Sequence, residues 1–147
     1  MSQHQVLFLD FDGVLHPTMP STADGPTVNV GFFGWLHHLE KLLRPFPDVG
    51  LVVHSTWRYQ YKSDELQDLL NPLGGRYLGA TPRGPRFESI CWWLNANPRF
   101  TSHRILDDDL AEFPSPPPSE LIACDPVLGV SDERVLRELL TWLASNR

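Results

Sequence analysis

Short apolar segments alternate with segments of helical periodicity along this chain. The apolar runs predict strands at residues 5–9, 49–55, 76–80, 103–106 and 121–124. Leucines at helical spacing, aromatic runs and capping residues predict helices at residues 33–44, 63–70, 87–96 and from Ser131 onwards. Strands that are apolar on both faces are typical of a parallel sheet covered by helices on both sides. The alternation therefore predicts an α/β fold, a three-layer Rossmann-like arrangement with a mostly parallel sheet.

The segments between these elements favour a single domain over residues 1–147. Residues 16–31 are rich in Pro, Gly and Thr and predict a loop or flap. Ser63 and Ser131 each precede a helical segment and are predicted N-caps. The stiff connector PSPPPS at residues 114–119 is too short to link separate domains.

The composition indicates the cellular compartment of the protein but does not identify its binding partner. No apolar run approaches the roughly 18 residues of a membrane span, and the first apolar run, without a basic stretch before it, is typical of a strand rather than an export signal. With only two cysteines, the sequence predicts a cytoplasmic protein without a disulfide framework. Net charge is −6, yet ten of the twelve basic residues are Arg, which binds phosphate well. The overall charge therefore does not exclude a phosphate-bearing partner, and the oligomeric state stays open.

Polar residues cluster where three of the predicted strands end. They are Asp10 and Asp12 after the first strand, Ser55 and Thr56 after the second, and the acidic run 107–109 after the fourth. Ligands bind at the carboxyl edge of open parallel sheets, so these residues are expected to meet in one crevice. Four or five carboxylates at one edge repel one another unless a cation offsets their charge. The sequence therefore predicts a hard divalent cation with oxygen ligands, Mg²⁺ first.

The segment LFLDFDGVL resembles the first motif of the haloacid dehalogenase superfamily, an apolar strand followed by Asp-x-Asp-Gly. The resemblance implies that Asp10 attacks phosphorus and forms an aspartyl-phosphate. It also implies that Asp12 protonates the leaving group and then activates the hydrolytic water, so that Asp12 is held protonated at first. The Asp10 carboxylate and the Asp12 backbone carbonyl would bind the metal, together with phosphate oxygen and waters.

Two further motifs of the superfamily have counterparts here. Ser55 resembles the hydroxyl residue that hydrogen-bonds the transferring phosphoryl oxygen, with Thr56 as the neighbouring alternative. Asp107 and Asp108 resemble the acidic motif. The resemblance favours Asp108 as a direct metal ligand and Asp107 as either a ligand or a hydrogen-bonding neighbour of the ligands, while Asp109 is the weakest of the three.

The third motif departs from the superfamily pattern, which keeps a Lys or sometimes an Arg near the start of the helix before the acidic strand. No Lys follows Lys62 in this chain. Arg86, directly before FESICWWL, is the best-placed cation, and Arg83 is second. Either arginine could neutralise charge that develops on phosphate. The alternative is a solvated surface arginine, because a cation at a helix N-terminus opposes the helix dipole.

A finer resemblance covers nearly the whole chain. The segments FLDFDGVLHP, HSTWR, RFESICWWL, ILDDDL and CDPVLGVS are similar to the haloacid dehalogenase-type domain of Swiss Army Knife RNA repair proteins. That likeness implies action on phosphorylated RNA ends. Arg58, in HSTWR, is then either a substrate contact or a buried structural arginine paired with an acid.

Other prominent side chains have ordinary interpretations. Trp92 and Trp93 are expected to pack at the core and edge of the sheet rather than to stack on bases. No transition-metal site is predicted, because metal-ligand spacing is not found among His16, His37, His38, His54 and His103.

The spacing between the motifs leaves no room for a folded cap domain. About 20 residues separate Asp12 from the first helix, and about 25 separate Ser55 from the next strand. A capless, open site suits a phosphate on a large substrate, so the leading hypothesis is a Mg²⁺-dependent phosphomonoester hydrolase, with a polynucleotide end as one substrate. The alternatives are a small-molecule phosphatase or nucleotidase with residues 16–31 as a lid, and a non-catalytic phosphate-binding module.

Overall fold

A computed structural model describes residues 4–16 and 33–145 of the chain. Within them lies a five-stranded sheet in the order β3-β2-β1-β4-β5, and every adjacent pair of strands is parallel. The strands are β1 (His4–Leu9), β2 (Gly50–Val53), β3 (Tyr77–Ala80), β4 (Phe100–Asp107) and β5 (Leu121–Ala123). The predicted α/β fold with a parallel sheet is confirmed, and β4 begins three residues earlier than its apolar run indicates.

Helices cover both faces of the sheet. They are α1 (Leu36–Leu43), α2 (Ser63–Leu69), α3 (Arg86–Ala96) and α4 (Glu133–Ala144). Along β1, Leu7 and Leu9 join the apolar cluster formed with α1, α2 and α4. Val6 and Phe8 face the opposite way and pack with Ile90 of α3 in a second cluster. This alternation gives the three layers that the sequence predicts.

Both predicted serine caps are wrong. Lys62 is the N-cap of α2, and the Ser63 hydroxyl instead lies 2.8 Å from the Tyr77 hydroxyl. Asp132 caps α4, because its carboxylate accepts a hydrogen bond of 2.9 Å from the Arg134 amide. Ser131 donates its hydroxyl to the Leu128 carbonyl and ends a preceding 3₁₀ turn. At α4, where Ser131 and Asp132 could both cap, the preceding 3₁₀ turn includes Ser131 and leaves Asp132 as the cap.

The two tryptophans of α3 differ. Trp93 packs edge-to-face against Phe8, with ring centroids 5.6 Å apart, whereas Trp92 is 47% exposed, so the expected packing holds for Trp93 only.

The predicted loop at residues 16–31 lies outside the described residues except for His16. Between Ser55 and β3 the chain forms α2 and short 3₁₀ turns, with no inserted domain. None of the helices in the described ranges is long and apolar enough to cross a membrane.

Candidate active site

The strand register sets the geometry of the polar edge. Leu9 of β1 pairs with Val53 of β2 on one side and with Leu106 of β4 on the other. The next residues in the three strands, Asp10, His54 and Asp107, therefore lie side by side where the strands end. Backbone hydrogen bonds continue through this row, because the Asp10 amide donates to the Leu106 carbonyl at 3.2 Å. Two of the expected polar clusters thus meet at one edge, and His54 comes with them.

Gly13 shapes the turn that follows β1. Its φ of 76° lies in the left-handed region, which L side chains rarely adopt. A Cβ atom at this position would collide with the carboxylate of Asp108. Glycine therefore allows the acidic run after β4 to approach the loop that carries Asp10 and Asp12.

Three carboxylates converge at this edge. Oxygens of Asp10, Asp107 and Asp108 all lie within 4.8 Å of one another, and Asp10 and Asp107 are buried. Burial and the neighbouring charge of Asp107 raise the pKa of Asp10 to about 9. The protein alone therefore disfavours full ionisation of the cluster, and a cation among these oxygens would reverse that preference.

Arg86, the first residue of α3, faces this cluster rather than solvent. One of its guanidinium nitrogens donates to both carboxylate oxygens of Asp107, at 2.9 and 3.0 Å, and lies 3.4 Å from an oxygen of Asp10. Its side chain is 16% exposed. Burial alone would lower the pKa of this guanidinium, but the two carboxylates outweigh it and raise the pKa. Arg86 is therefore a fixed positive charge beside the candidate nucleophile, and not a solvated surface arginine.

His54 is fully buried and holds Asp107 from the other side. Its Nε2 lies 2.8 Å from the Asp107 carboxylate, while the Asp109 amide donates to the same carboxylate at 2.9 Å. Burial lowers the pKa of His54, which favours the neutral ring with its proton on Nε2. Burial would raise the pKa of Asp107, but the hydrogen bond from His54 and the charge of Arg86 lower it overall. Asp107 is thus an ionised acceptor with donors on both of its oxygens.

The Asp12 side chain does not belong to the group of three clustered carboxylates. One of its carboxylate oxygens lies 2.7 Å from Nε2 of His16, and the other accepts a hydrogen bond of 3.1 Å from the indole of Trp57. The carboxylate is 48% exposed, so it can reach a substrate or water. The Asp12 carboxylate is therefore held by two protein groups and remains accessible at the surface.

The residues after β2 form a 3₁₀ turn over Thr56–Tyr59 with Ser55 as its N-cap. The buried Ser55 oxygen accepts a hydrogen bond of 3.2 Å from the Trp57 amide, so its own proton is available to another acceptor. Thr56 is exposed. Asp109 caps the short turn Leu110–Glu112, because its carboxylate accepts a hydrogen bond from the Ala111 amide.

Arg58 and Arg83 have different roles in the fold. Arg58 is buried and donates to the carbonyls of Ser55 and Gly84, each at 3.0 Å, and so ties the turn after β2 to the loop before α3. This is the buried structural position, with backbone carbonyls as partners in place of an acid. Arg83 is exposed and stacks over Tyr59, 4.9 Å from the ring centroid.

Sequence reasoning did not find His16, His54 or Trp57. The sequence does place His16 four residues after Asp12, and His54 and Trp57 within the HSTWR segment. The role of His54 depends on pairing across strands, since His54 and Asp107 are 53 positions apart in the chain. Spacing rules for histidine concern metal ligands, whereas both of these histidines contact carboxylates.

Comparison with known protein families identifies the chain. Residues 6–135 match the family described as the HAD domain in Swiss Army Knife RNA repair proteins, HAD being haloacid dehalogenase. The match covers β1 from Val6 onwards, the other four strands in full and the three polar clusters. A comparison with curated proteins found no match. The family supports a hydrolase or phosphotransferase of the HAD type, and the described residues include a group of acidic side chains that could hold a metal ion. The chain belongs to the family of HAD domains found in Swiss Army Knife RNA repair proteins.

Proposed function

We propose that this protein is a Mg²⁺-dependent phosphomonoester hydrolase that acts through an aspartyl-phosphate on Asp10. The observation that carries the proposal is the group of Asp10, Asp107 and Asp108, two of them buried, with Arg86 directed into it. A structural salt bridge needs only one carboxylate for one guanidinium. Three carboxylates around one arginine leave an excess of negative charge, which a bound cation would balance.

The donor set fits magnesium. The clustered ligand atoms are all carboxylate oxygens, which hard cations prefer, and no cysteine or histidine belongs to the group. Asp10 and Asp108 would hold the ion with the backbone carbonyl of Asp12. Asp107 already accepts from Arg86, His54 and the Asp109 amide, which favours it as a hydrogen-bonding neighbour of the ligands. When bound, the ion would keep Asp10 ionised and neutralise charge on the phosphate.

The chain's own residues then divide the reaction. The Asp10 carboxylate attacks phosphorus, and the bond from phosphorus to the ester oxygen breaks. The departing oxygen takes a proton from the carboxylic acid form of Asp12. In the second half, the Asp12 carboxylate takes a proton from water, the resulting hydroxide attacks the aspartyl-phosphate, and inorganic phosphate and free Asp10 are formed. Arg86 and the Ser55 hydroxyl would stabilise charge on the phosphoryl oxygens.

For the substrate, we propose a phosphate at the end of a nucleic-acid strand, RNA in particular. The family description names RNA repair proteins. Tyr59, in the 3₁₀ turn after β2, and Trp92, in α3, are both exposed and lie beside Gly84 in the loop before α3. Arg83 is exposed above the Tyr59 ring. Exposed aromatic rings with arginine are typical of surfaces on which unpaired bases stack. The surface formed by Tyr59, Arg83 and Trp92 is larger than a small phosphate ester would cover.

Two assays test the proposal in order. Hydrolysis of p-nitrophenyl phosphate is measured with and without Mg²⁺, with Asp10→Asn as the inactive control. A panel of 3′- and 5′-phosphorylated RNA and DNA oligonucleotides, nucleotides and sugar phosphates then ranks substrates by kcat/KM. Preference for nucleotides or sugar phosphates would support a small-molecule phosphatase. Phosphate binding without turnover of any ester would support a binding module and contradict the proposal.

A further inference from the structure

The side chain of Asp12 is nearly half exposed, yet both of its oxygens are bonded. His16 contacts one oxygen at 2.7 Å and Trp57 contacts the other at 3.1 Å. An exposed carboxylate ordinarily rotates among several rotamers and is hydrated by water. Two protein donors on opposite oxygens fix the plane of this carboxylate instead.

A second contact fixes the tautomer of His16. The backbone amide of Phe33 donates a hydrogen bond of 3.2 Å to Nδ1 of the ring, so Nδ1 must carry a lone pair. In the neutral ring the proton then sits on Nε2, the atom that faces Asp12. His16 is therefore a donor to Asp12, as is Trp57, whose indole nitrogen can only donate.

The two donors are held by an aromatic cluster. The rings of Phe11 and Phe33 contact each other at 5.1 Å, and both contact Trp57, at 5.3 and 5.4 Å. His16 is 2% exposed and lies 5.4 Å from the Phe33 ring. Phe33 itself has a φ of 58°, a left-handed conformation that costs a bulky residue free energy. Strain of this kind persists where surrounding contacts stabilise it, and here it accompanies the hydrogen bond that the Phe33 amide donates to His16.

We infer that His16, with Trp57, is a positioning residue that orients the Asp12 carboxyl for proton transfer to the leaving group. The inference rests on the proposed function. Donors on both sides restrict the directions from which Asp12 can exchange a proton with a substrate, much as a third residue orients the base in other catalytic arrangements. His16 itself does not touch the reacting atoms, because its Nε2 faces Asp12 and its Nδ1 faces Phe33.

The dependence of rate on the leaving group tests this role. The parameter kcat/KM reports transfer to Asp10, and p-nitrophenolate leaves with little help from an acid, whereas an alkoxide needs a proton. His16→Phe is therefore expected to lower kcat/KM for an alkyl phosphate roughly ten- to a hundredfold more than for p-nitrophenyl phosphate. In His16→Gln the side-chain amide can donate to Asp12, so this variant should recover part of the lost kcat/KM for the alkyl phosphate. Trp57→Phe should also lower kcat/KM more for the alkyl phosphate than for p-nitrophenyl phosphate, but by a smaller factor than His16→Phe.

Controls separate this inference from the proposed function. His37→Gln alters an exposed histidine of α1 and should leave both rates unchanged. Equal losses of kcat/KM on the two esters in His16→Phe and Trp57→Phe would show that these residues are merely structural, and would overturn the inference. In that case an inactive Asp10→Asn variant would still support the proposed function. Should His16→Phe fail to fold, His16→Gln and Trp57→Phe carry the same comparison. A wild-type protein that hydrolyses neither ester would overturn the proposed function and this inference with it.

Discussion

Replacing Asp10 with asparagine should stabilise the metal-free protein while it abolishes turnover. Burial and the charge of Asp107 raise the pKa of Asp10 to about 9, from an ordinary value of 3.8. Between these two values the unfolded chain ionises Asp10 and the folded chain does not. The stability contributed by a protonated Asp10 is therefore complete below about pH 4 and is lost as pH rises toward 9.

The magnitude follows from linkage. Each pH unit in this window costs about 1.4 kcal/mol, so the upper bound at pH 7 is about 4 kcal/mol. The asparagine side chain would escape this cost and could still accept the hydrogen bond that Phe11 donates at 2.9 Å. Arg86, 3.4 Å from Asp10, already contributes to the pKa of about 9, so its charge is not counted a second time. We expect a net gain of about 2 kcal/mol in the free energy of unfolding at pH 7, below the upper bound, because relaxation and water penetration reduce the penalty of a buried charge.

Urea unfolding of both proteins in EDTA, from pH 5 to pH 8, measures the difference. The gap between Asp10→Asn and wild type should widen as pH rises and should narrow when Mg²⁺ is added, because a bound cation stabilises the ionised wild-type carboxylate. Asp68→Asn, which changes an exposed carboxylate on α2, is the matched control and should shift stability by less than about 0.5 kcal/mol. A gap that does not depend on pH, or an Asp10→Asn protein less stable than wild type at pH 8, would refute the reasoning.

Two further predictions concern charge at the site. Asp108→Ala should weaken Mg²⁺ binding in calorimetry more than Asp109→Ala, since Asp109 caps a 3₁₀ turn; the reverse order would move the metal ligand by one residue. Arg86→Ala should lower kcat/KM on p-nitrophenyl phosphate by about two to three decades, roughly 3–4 kcal/mol, with partial recovery in Arg86→Lys. Arg83→Ala should leave this kcat/KM nearly unchanged. If Arg83→Ala instead caused the large loss and Arg86→Ala caused none, Arg83 would be the residue that neutralises charge on the phosphate.

The parts of this molecule that follow from local pattern could be predicted from the sequence. The apolar runs that end at Asp10 and at Asp107 locate two adjacent strands, and parallel pairing then brings the acids together. The environment of Arg58 could not be predicted in the same way. A buried arginine and a substrate-binding arginine look alike in sequence, and only the carbonyls of Ser55 and Gly84 distinguish them. Contacts between distant loops depend on the whole fold.

The arrangement of charge explains why the proposed reaction would use both an arginine and a metal ion. Asp10, Asp107 and Asp108 carry three negative charges when all are ionised, and His54 adds none because burial lowers its pKa. Arg86 balances one of these charges, and a divalent cation would balance the other two. A phosphate dianion would then approach a neutral site rather than an anionic one. Because Arg86 already contacts Asp107 and Asp10, its charge is in place before a substrate binds, so no side chain has to be reordered to supply it.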